Sequence, residues 1–294
     1  MSFEVSAADG RYVEVPDHAD LRLLTPSIEF CYRAFAYPGH NVKHTLLSKG
    51  GRDGTTKAMW SFYAVGNLAD PAIPIWELHL ASWDAALSVV KDALIGPYVA
   101  KDSVWLAIVF TIDGSGSAKV YVEGRKTPGA IGSTEAVAYE VPLNVSTWPL
   151  RTTNTHPIRF GAGMAADGSA IEIATGAFSE IKFNSVVMTQ AALEARLPTR
   201  IVGNEANVKA YYRGDEGLSG AGGNAVYDRT GNGHTAAYKG GSGTWSDEPL
   251  DLAYPGAVGW PSGLIARHSL SRHLGSVITA SEEDPARPAS NLRT

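Results

Sequence analysis

Hydrophobic and polar residues alternate over short stretches along most of the chain. In the segment SIEFCYRAFA (27–36), alternate side chains would share one face of an extended strand: Ile28, Phe30, Tyr32 and Ala34. The runs AMWSFYAVG, PIWELHLAS, SAKVYVEG, PIRFGAG, SAIEIATG and AFSEIKFN follow the same pattern, and each ends near Gly, Pro, Asn or Asp. This period of two is typical of β-strands, and its regular recurrence predicts an antiparallel β-sandwich.

The segment VWLAIVFTIDGSGSAKVYVEGRK (104–126) predicts a hairpin. Apolar side chains occupy both faces of its first strand, with Phe110 on one face and Val109 on the other. A strand that is apolar on both faces is covered on both sides, so we predict a central strand here. Asp113-Gly114 follows it as a turn pair.

One short helix is predicted in MTQAALEARLP (188–198), where Thr189 can cap the first turn and a proline ends the helix. The segment WDAALSVVKDALIG (83–96) fits either a helix or a strand with a loop, and the sequence leaves this open. Beyond residue 246 the chain becomes rich in Pro and Gly and has no hydrophobic period. We therefore predict a globular sandwich over 1–246 and an extended C-terminal arm or linker over 247–294.

The charge balance argues against a nucleic-acid partner. The 25 Lys and Arg residues against 30 Asp and Glu give a net charge of −5, and no basic block occurs. The single cysteine, Cys31, excludes an intrachain disulfide, and we interpret it as a buried thiol. The N-terminus has no basic start followed by an apolar stretch, and no apolar run is long enough to span a bilayer. We therefore expect no signal peptide and no membrane span.

The order of several motifs resembles the laminin-G-like (concanavalin-A-like) jelly-roll family over about residues 3–245. YVEVPDHADLRL, SIEFCYRAFA and HTLLSKGG resemble its opening, and the hairpin resembles its middle. VKAYYRGDEG and AVYDRTGNGHTAAYKGGSGTW resemble its close. The resemblance implies an all-β, two-sheet antiparallel jelly-roll sandwich with one short helix and an extended C-terminal tail. The last motif often comes first in such domains, so we expect a circular permutation whose closing strand comes from the C-terminal end.

The carboxylates argue against glycosidase chemistry on this fold. Retaining glycosidases place two carboxylates about 5–5.5 Å apart, which on a strand requires acids at positions i and i+2. The pair with that spacing is Glu282 and Asp284, in the polar tail, and no strand carries a Glu-x-Asp-x-x-Glu pattern. We therefore predict a non-enzymatic protein. Glu77 and His79 share a strand face, which fits either a cross-strand pair or acid–base chemistry.

Two Asp-Gly-type loops are rich in oxygen ligands. Asp228 and Asn232 lie in YDRTGNGHT, and Asp167 lies in AADGSA. Calcium takes six to eight oxygen ligands, and the family resemblance implies calcium at loops on one edge of the sandwich. The alternative is turn chemistry, in which Asp and Asn side chains hydrogen-bond to their own backbone. Calcium is thus the candidate cofactor, with Asp228 and Asn232 as its ligands, and no other cofactor is expected.

Histidines and tryptophans supply the remaining candidates. The histidine pairs in HNVKH (40–44) and HSLSRH (268–273) lack a carboxylate or cysteine at ligand spacing, and we interpret them as surface residues. Tryptophans can stack on sugar rings, but they more commonly fill a core or an interface. Trp260, in YPGAVGWPSG, lies beyond the predicted strands. We predict that Trp260 is a docking anchor for a protein partner.

An all-β domain with an arm, no export signal and no enzyme signature is similar to bacteriophage virion components. The leading hypothesis is a non-enzymatic structural or binding protein of a phage particle, as a capsid decoration or tail component, made in the host cytoplasm. Its expected partners are other virion proteins or copies of itself through residues 247–294, together with host surface glycans. The alternatives are a stand-alone carbohydrate-binding protein, a polysaccharide-active enzyme on the same fold, or a bacterial adhesin module.

Overall fold

The computed structural model describes residues 2–23, 25–36, 38–51, 59–67, 75–83, 90–99, 105–112, 118–123, 137–141, 154–188, 205–214 and 224–246. The chain divides into two compact units, 1–252 and 253–294, and every described residue belongs to the first. The predicted domain boundary at residue 246, the helix over 189–197 and the turn at Asp113–Gly114 lie at or outside the limits of the described residues and stay predictions. Within the described residues, no helix is both long and apolar enough to cross a membrane.

More than half of the described residues lie in β-strands, and their regular secondary structure is almost entirely β. In chain order the strands are β1 (Ser2–Val5), β2 (Tyr12–Val15), β3 (Ser27–Ala34), β4 (Lys43–Lys49), β5 (Trp60–Asn67), β6 (Ile75–Trp83), β7 (Val90–Val99), β8 (Trp105–Ile112), β9 (Ala118–Glu123), β10 (Val137–Val141), β11 (Ile158–Phe160), β12 (Gly163–Met164), β13 (Ala170–Ile171), β14 (Gly176–Asn184), β15 (Val208–Tyr212), β16 (Ala225–Val226), β17 (Ala236–Lys239) and β18 (Thr244–Ser246). A 3₁₀ turn (Ala19–Leu21) follows β2.

Two large antiparallel sheets contain these strands. The first sheet has the order β10-β9-β8-β3-β14-β1-β18, with β15 also paired to β14. The second sheet has the order β16-β17-β2-β11-β4-β5-β6-β7, and β12 and β13 form a small separate hairpin. Strand β18 pairs with β1 and β17 pairs with β2. The closing strands therefore come from the C-terminal side, as the order of the motifs predicts.

Strand β14 changes partner halfway along its length. Its first residues pair with β1 and its last residues pair with β15, while β3 runs along the opposite side. The register shifts at this point, and Glu180 adopts a left-handed φ of 54°. A bulge of this kind adds local twist, which fits the replacement of one neighbouring strand by another.

The inner faces of the two sheets enclose one aromatic core. Phe62 on β5 stacks on Phe110 on β8, with ring centroids 5.9 Å apart, so these two rings join the sheets directly. Ile28, Phe30, Tyr32 and Ala34 all belong to this core, as their alternation predicts. The predicted all-β sandwich is confirmed, and alternation identified its inward faces because each strand has one face toward the other sheet.

The hairpin strand β8 lies in the interior of its sheet, between β3 and β9. Phe110 is fully buried on the inner face, and Val109 is buried on the outer face. The prediction of a strand covered on both sides is therefore confirmed. Cys31 is buried, and it lies on this same outer face because its neighbours in sequence point into the core.

Candidate functional site

The loop between β16 and β17 is organised around the carboxylate of Asp228. Oδ1 accepts hydrogen bonds from the backbone N–H groups of Tyr211 (3.1 Å) and Thr230 (3.0 Å), and Oδ2 accepts one from the N–H of His234 (3.2 Å). The Thr230 hydroxyl lies 2.8 Å from both oxygens. Asn232 donates from Nδ2 to the carbonyl of Lys209 (2.9 Å). These bonds tie the loop to β15.

The TGNG sequence of this loop (230–233) has a backbone reason for its glycines. Gly231 and Gly233 have φ values of 81° and 83°, a region that other residues enter only at a cost. Asp167 makes a similar turn, in which Oδ1 accepts a hydrogen bond from the N–H of Ser169 at 2.9 Å. The predicted oxygen-rich loops are therefore both turns stabilised by an aspartate side chain, and calcium binding at Asp228 and Asn232 stays a prediction.

A buried ion-pair network lies directly after β2. The side chain of Lys49 is fully buried, and its Nζ donates to Asp17 Oδ1 (2.7 Å) and to the carbonyl of His156 (3.0 Å). Arg22 forms a second ion pair with Asp17. Burial lowers the pKa of Lys49, even though the carboxylate of Asp17 favours the charged ammonium. For Asp17, the hydrogen bonds from Arg22 and Lys49 outweigh the opposing effect of burial and lower its pKa.

A second polar cluster lies next to this network. It joins His18 and Asp20 to His234, which is far from them in the sequence. One potential ligand atom from each residue lies within 4.8 Å of the others. Asp20 Oδ2 is 3.5 Å from His18 Nδ1 and 3.9 Å from His234 Nε2, and the two imidazole rings have centroids 4.4 Å apart. Burial and the neighbouring charge of His18 lower the pKa of His234. We call these three residues the His18 cluster.

The His18 cluster could not be recognised from sequence spacing, because His18 and His234 are far apart in the chain. A usable signal is the pairing of β17 with β2, in which Ala237 lies opposite Glu14. Extending this antiparallel register past the strand ends places His234 level with Asp17, one residue before His18. The histidine pairs that the sequence did single out are not joined in this way: His40 is exposed and His44 is half-buried. The pair at 268–273 lies outside the described residues.

The outer face of the second sheet carries a different polar group, formed by Tyr63, Glu77, His79 and Asp92. The Tyr63 hydroxyl donates to Asp92 Oδ2, and His79 Nδ1 lies 3.0 Å from Asp92 Oδ1. The Tyr63 and His79 rings stack at 4.8 Å, and Glu77 Oε2 lies 3.9 Å from His79 Nε2. We call these residues the outer-face cluster. They hold one another in fixed orientation on β5, β6 and β7.

The tryptophans that could stack on a sugar differ in how deeply they are buried. Trp60 is buried in the core and packs against Phe110, whereas Trp245 is half-buried at the edge of the core. Trp260 lies outside the described residues, so its predicted role as a docking anchor stays a prediction. Trp60 therefore fills the core, which is the more common role of a tryptophan in a β-sandwich.

Together these features define a two-sheet antiparallel jelly-roll sandwich with one polar group on the outer face of the second sheet and another beside β2 and β17. No protein-family model and no curated protein matches the chain. The fold is similar to that of a candidate carbohydrate-binding protein from Bacteroides ovatus ATCC 8483, with a TM-score of 0.53 and 14% identity over 85% of this chain. This chain spans 61% of the length of that protein.

Two further solved structures have lower similarity. The LG1–3 region of the laminin α2 chain gives a TM-score of 0.38 and 13% identity, over 65% of this chain and 32% of that one. Tailspike protein 2 of bacteriophage CBA120, in its enzymatically active domain, gives 0.45 and 11%, over 68% and 31%. At these identities, the similarities concern the fold alone.

Proposed function

We propose that the chain is a non-enzymatic binding module that recognises glycans through the outer-face cluster. The observation that supports this most directly is the hydrogen-bonded arrangement of Tyr63, His79 and Asp92 on the outside of the sandwich. Asp92 is exposed and Glu77 is half-buried, so carboxylate oxygens reach solvent at this face. Sugars present many hydroxyl donors, and acceptors that are already oriented bind them with little loss of side-chain entropy.

The similarity to the candidate carbohydrate-binding protein of B. ovatus is consistent with this function. The test is a glycan array followed by titration calorimetry of the best binder. Asp92→Asn and His79→Ala should each weaken binding about tenfold or more, which corresponds to the loss of one charge-assisted hydrogen bond. Tyr227→Ala is the matched control, because Tyr227 is an exposed aromatic residue outside the cluster. If Asp92→Asn and His79→Ala bind the glycan as tightly as the unaltered chain does, the outer-face cluster is rejected as the binding site.

The same geometry favours a second candidate, a polysaccharide-active enzyme. A tyrosine hydroxyl, an imidazole and a carboxylate joined by hydrogen bonds can exchange a proton with a bound sugar. Incubation with a panel of polysaccharides, followed by measurement of new reducing ends, separates the two functions. The binding proposal expects no release. Release that is lost in His79→Ala would establish the enzyme.

We also propose that the sandwich serves in a bacteriophage virion, as a decoration or tail component that contacts host glycans. Residues 247–294 would then contact other virion proteins or copies of the chain, with Trp260 as an anchor. The change of composition after residue 246 supports this division of roles. Light scattering of the full chain should give an oligomer, and deletion of 247–294 should give a monomer. A full chain that stays monomeric at high concentration would contradict assembly through this segment.

A further inference from the structure

The His18 cluster combines two imidazoles and one carboxylate from two segments that are far apart in the sequence. His18 and Asp20 flank the start of the 3₁₀ turn after β2, and His234 lies two residues before β17. Because β2 and β17 are neighbouring strands, the fold itself holds these segments together. We propose that His18, Asp20 and His234 bind a divalent transition-metal ion, with zinc as the best match. This inference does not rest on the proposed glycan-binding function.

The spacing of the ligand atoms fits one ion. Two ligands that each lie about 2.1 Å from a tetrahedral zinc ion are about 3.4 Å from each other. The observed separations from Asp20 Oδ2 are 3.5 Å to His18 Nδ1 and 3.9 Å to His234 Nε2. His18 Nδ1 also accepts a hydrogen bond from the Asp20 N–H at 3.3 Å, so binding an ion through this atom requires a rotation of the imidazole that replaces that bond. The separation between Asp20 Oδ2 and His234 Nε2 is also too long for a direct hydrogen bond.

His234 supplies an independent reason to expect a ligand. Its side chain is 2% exposed, and its Nε2 atom is buried without a hydrogen-bond partner. An unsatisfied buried nitrogen costs about 1–3 kcal/mol, so the fold has a reason to supply a partner. Among the described residues, the nearest charged acceptor beside this nitrogen is the Asp20 carboxylate, at a distance that an intervening ion would span.

Hydrogen bonds fix both backbone polar groups of His234, its N–H and its carbonyl. Its N–H donates to Asp228 Oδ2 at 3.2 Å, and its carbonyl accepts a hydrogen bond from the Tyr212 hydroxyl at 2.5 Å. The loop therefore presents Nε2 in one orientation.

The ligand types select a transition metal over calcium. Zinc binds imidazole nitrogen and carboxylate oxygen readily, whereas calcium requires six to eight oxygen ligands. The other two ligands, His18 and Asp20, have side chains that are 52% and 54% exposed. A fourth coordination position would therefore face solvent, where water or a group from a bound molecule can occupy it.

The test uses the full chain, freed of metal with a chelator and titrated with zinc in competition with a chromophoric chelator. We expect one zinc ion per chain at this site. Cobalt in place of zinc should give the visible absorption of a four-coordinate ion. His18→Gln and Asp20→Asn alter exposed residues, so these variants should fold normally and bind zinc at least about tenfold more weakly.

His40→Gln is the matched control, since His40 is an exposed histidine away from the cluster, and it should bind zinc like the unaltered chain. His234→Gln should abolish the cobalt spectrum, with circular dichroism used to verify that it folds. A double variant His18→Gln/Asp20→Asn that binds zinc with unchanged affinity and stoichiometry would overturn the proposal. Absence of zinc binding by the unaltered chain would also overturn it.

Discussion

Replacing Asp228 with alanine removes one carboxylate that accepts three backbone N–H groups. The donors are the N–H groups of Tyr211, Thr230 and His234. Tyr211 and His234 are buried, so water cannot readily replace the lost acceptor at two of the three positions. An unsatisfied buried donor costs about 1–3 kcal/mol, which gives a loss of about 2–6 kcal/mol for the pair. This loss should occur whether or not calcium is present.

The measurement is urea unfolding of the full chain with excess chelator, followed by tryptophan fluorescence, and again with saturating calcium. Asp228→Asn should lose less stability than Asp228→Ala, because it keeps one carbonyl oxygen as an acceptor. Asp167→Ala is the matched control. Asp167 is exposed and accepts hydrogen bonds only within its own turn, mainly from Ser169, so water can replace Asp167 as their acceptor and its removal should cost at most about 1 kcal/mol.

The result that would refute this reasoning is a small loss in chelator and a large loss in calcium. Under that outcome, Asp228 stabilises the fold as a calcium ligand, and the hydrogen bonds of the loop contribute little. The opposite outcome, a large loss that calcium does not change, supports the turn interpretation. A calcium-dependent rise in melting temperature that persists in Asp228→Ala would place any calcium site elsewhere in the chain.

Three further changes test the packing and electrostatics of the sandwich by thermal or urea unfolding. Gly176→Ala would place a methyl carbon 2.3 Å from the Arg33 carbonyl, so it should destabilise by about 1–3 kcal/mol, more than Gly39→Ala, where the added carbon meets Val42 at an ordinary contact distance of 3.4 Å. Lys49→Met removes a fully buried ammonium from its carboxylate partner and should cost about 2–4 kcal/mol; no loss would contradict the network. Burial lowers the pKa of His44, so the unfolded chain binds more protons and stability should fall as the pH drops below about 6.5. His44→Gln should reduce this dependence, and an unchanged pH profile would contradict it.

The strands were predictable because their pattern is local. In β3, alternate residues point to the core, and the sequence alone assigns Phe30 and Tyr32 to that face. The segment 83–96 was ambiguous for the same reason, since its apolar spacing fits a helix as well as a strand. The structure shows residues 90–96 of it as part of β7, which is paired along its whole length with β6. That pairing is non-local, and it overrides the local spacing.

The candidate site was predictable only in part. Asp228 and Asn232 were visible because their loop has a compact motif, but the motif alone could not say whether the oxygens face a metal or the backbone. His18 and His234 are 216 positions apart (234 minus 18) and carry no motif in common. They meet because β17 pairs with β2, and this pairing depends on the return of the C-terminal strands. Sequence spacing cannot reveal such a site without the sheet order.

The His18 cluster forms because β17 pairs with β2, so contacts that position the loop before β17 should affect zinc binding. This gives a final prediction. Asp228 Oδ2 accepts a hydrogen bond from the backbone N–H of His234, and the imidazole of the same residue is a ligand in the proposed zinc site. Asp228→Ala should weaken zinc binding about 10–100-fold, the usual effect of losing a partner that orients a ligand. The measurement is the chelator competition at a temperature where circular dichroism shows the variant folded. The three proposed ligands meet only in the folded chain, so zinc at a concentration of about 100 times Kd should add about 2.7 kcal/mol of stability to the unaltered protein. Asp228→Ala that binds zinc with full affinity would show that the loop does not position His234.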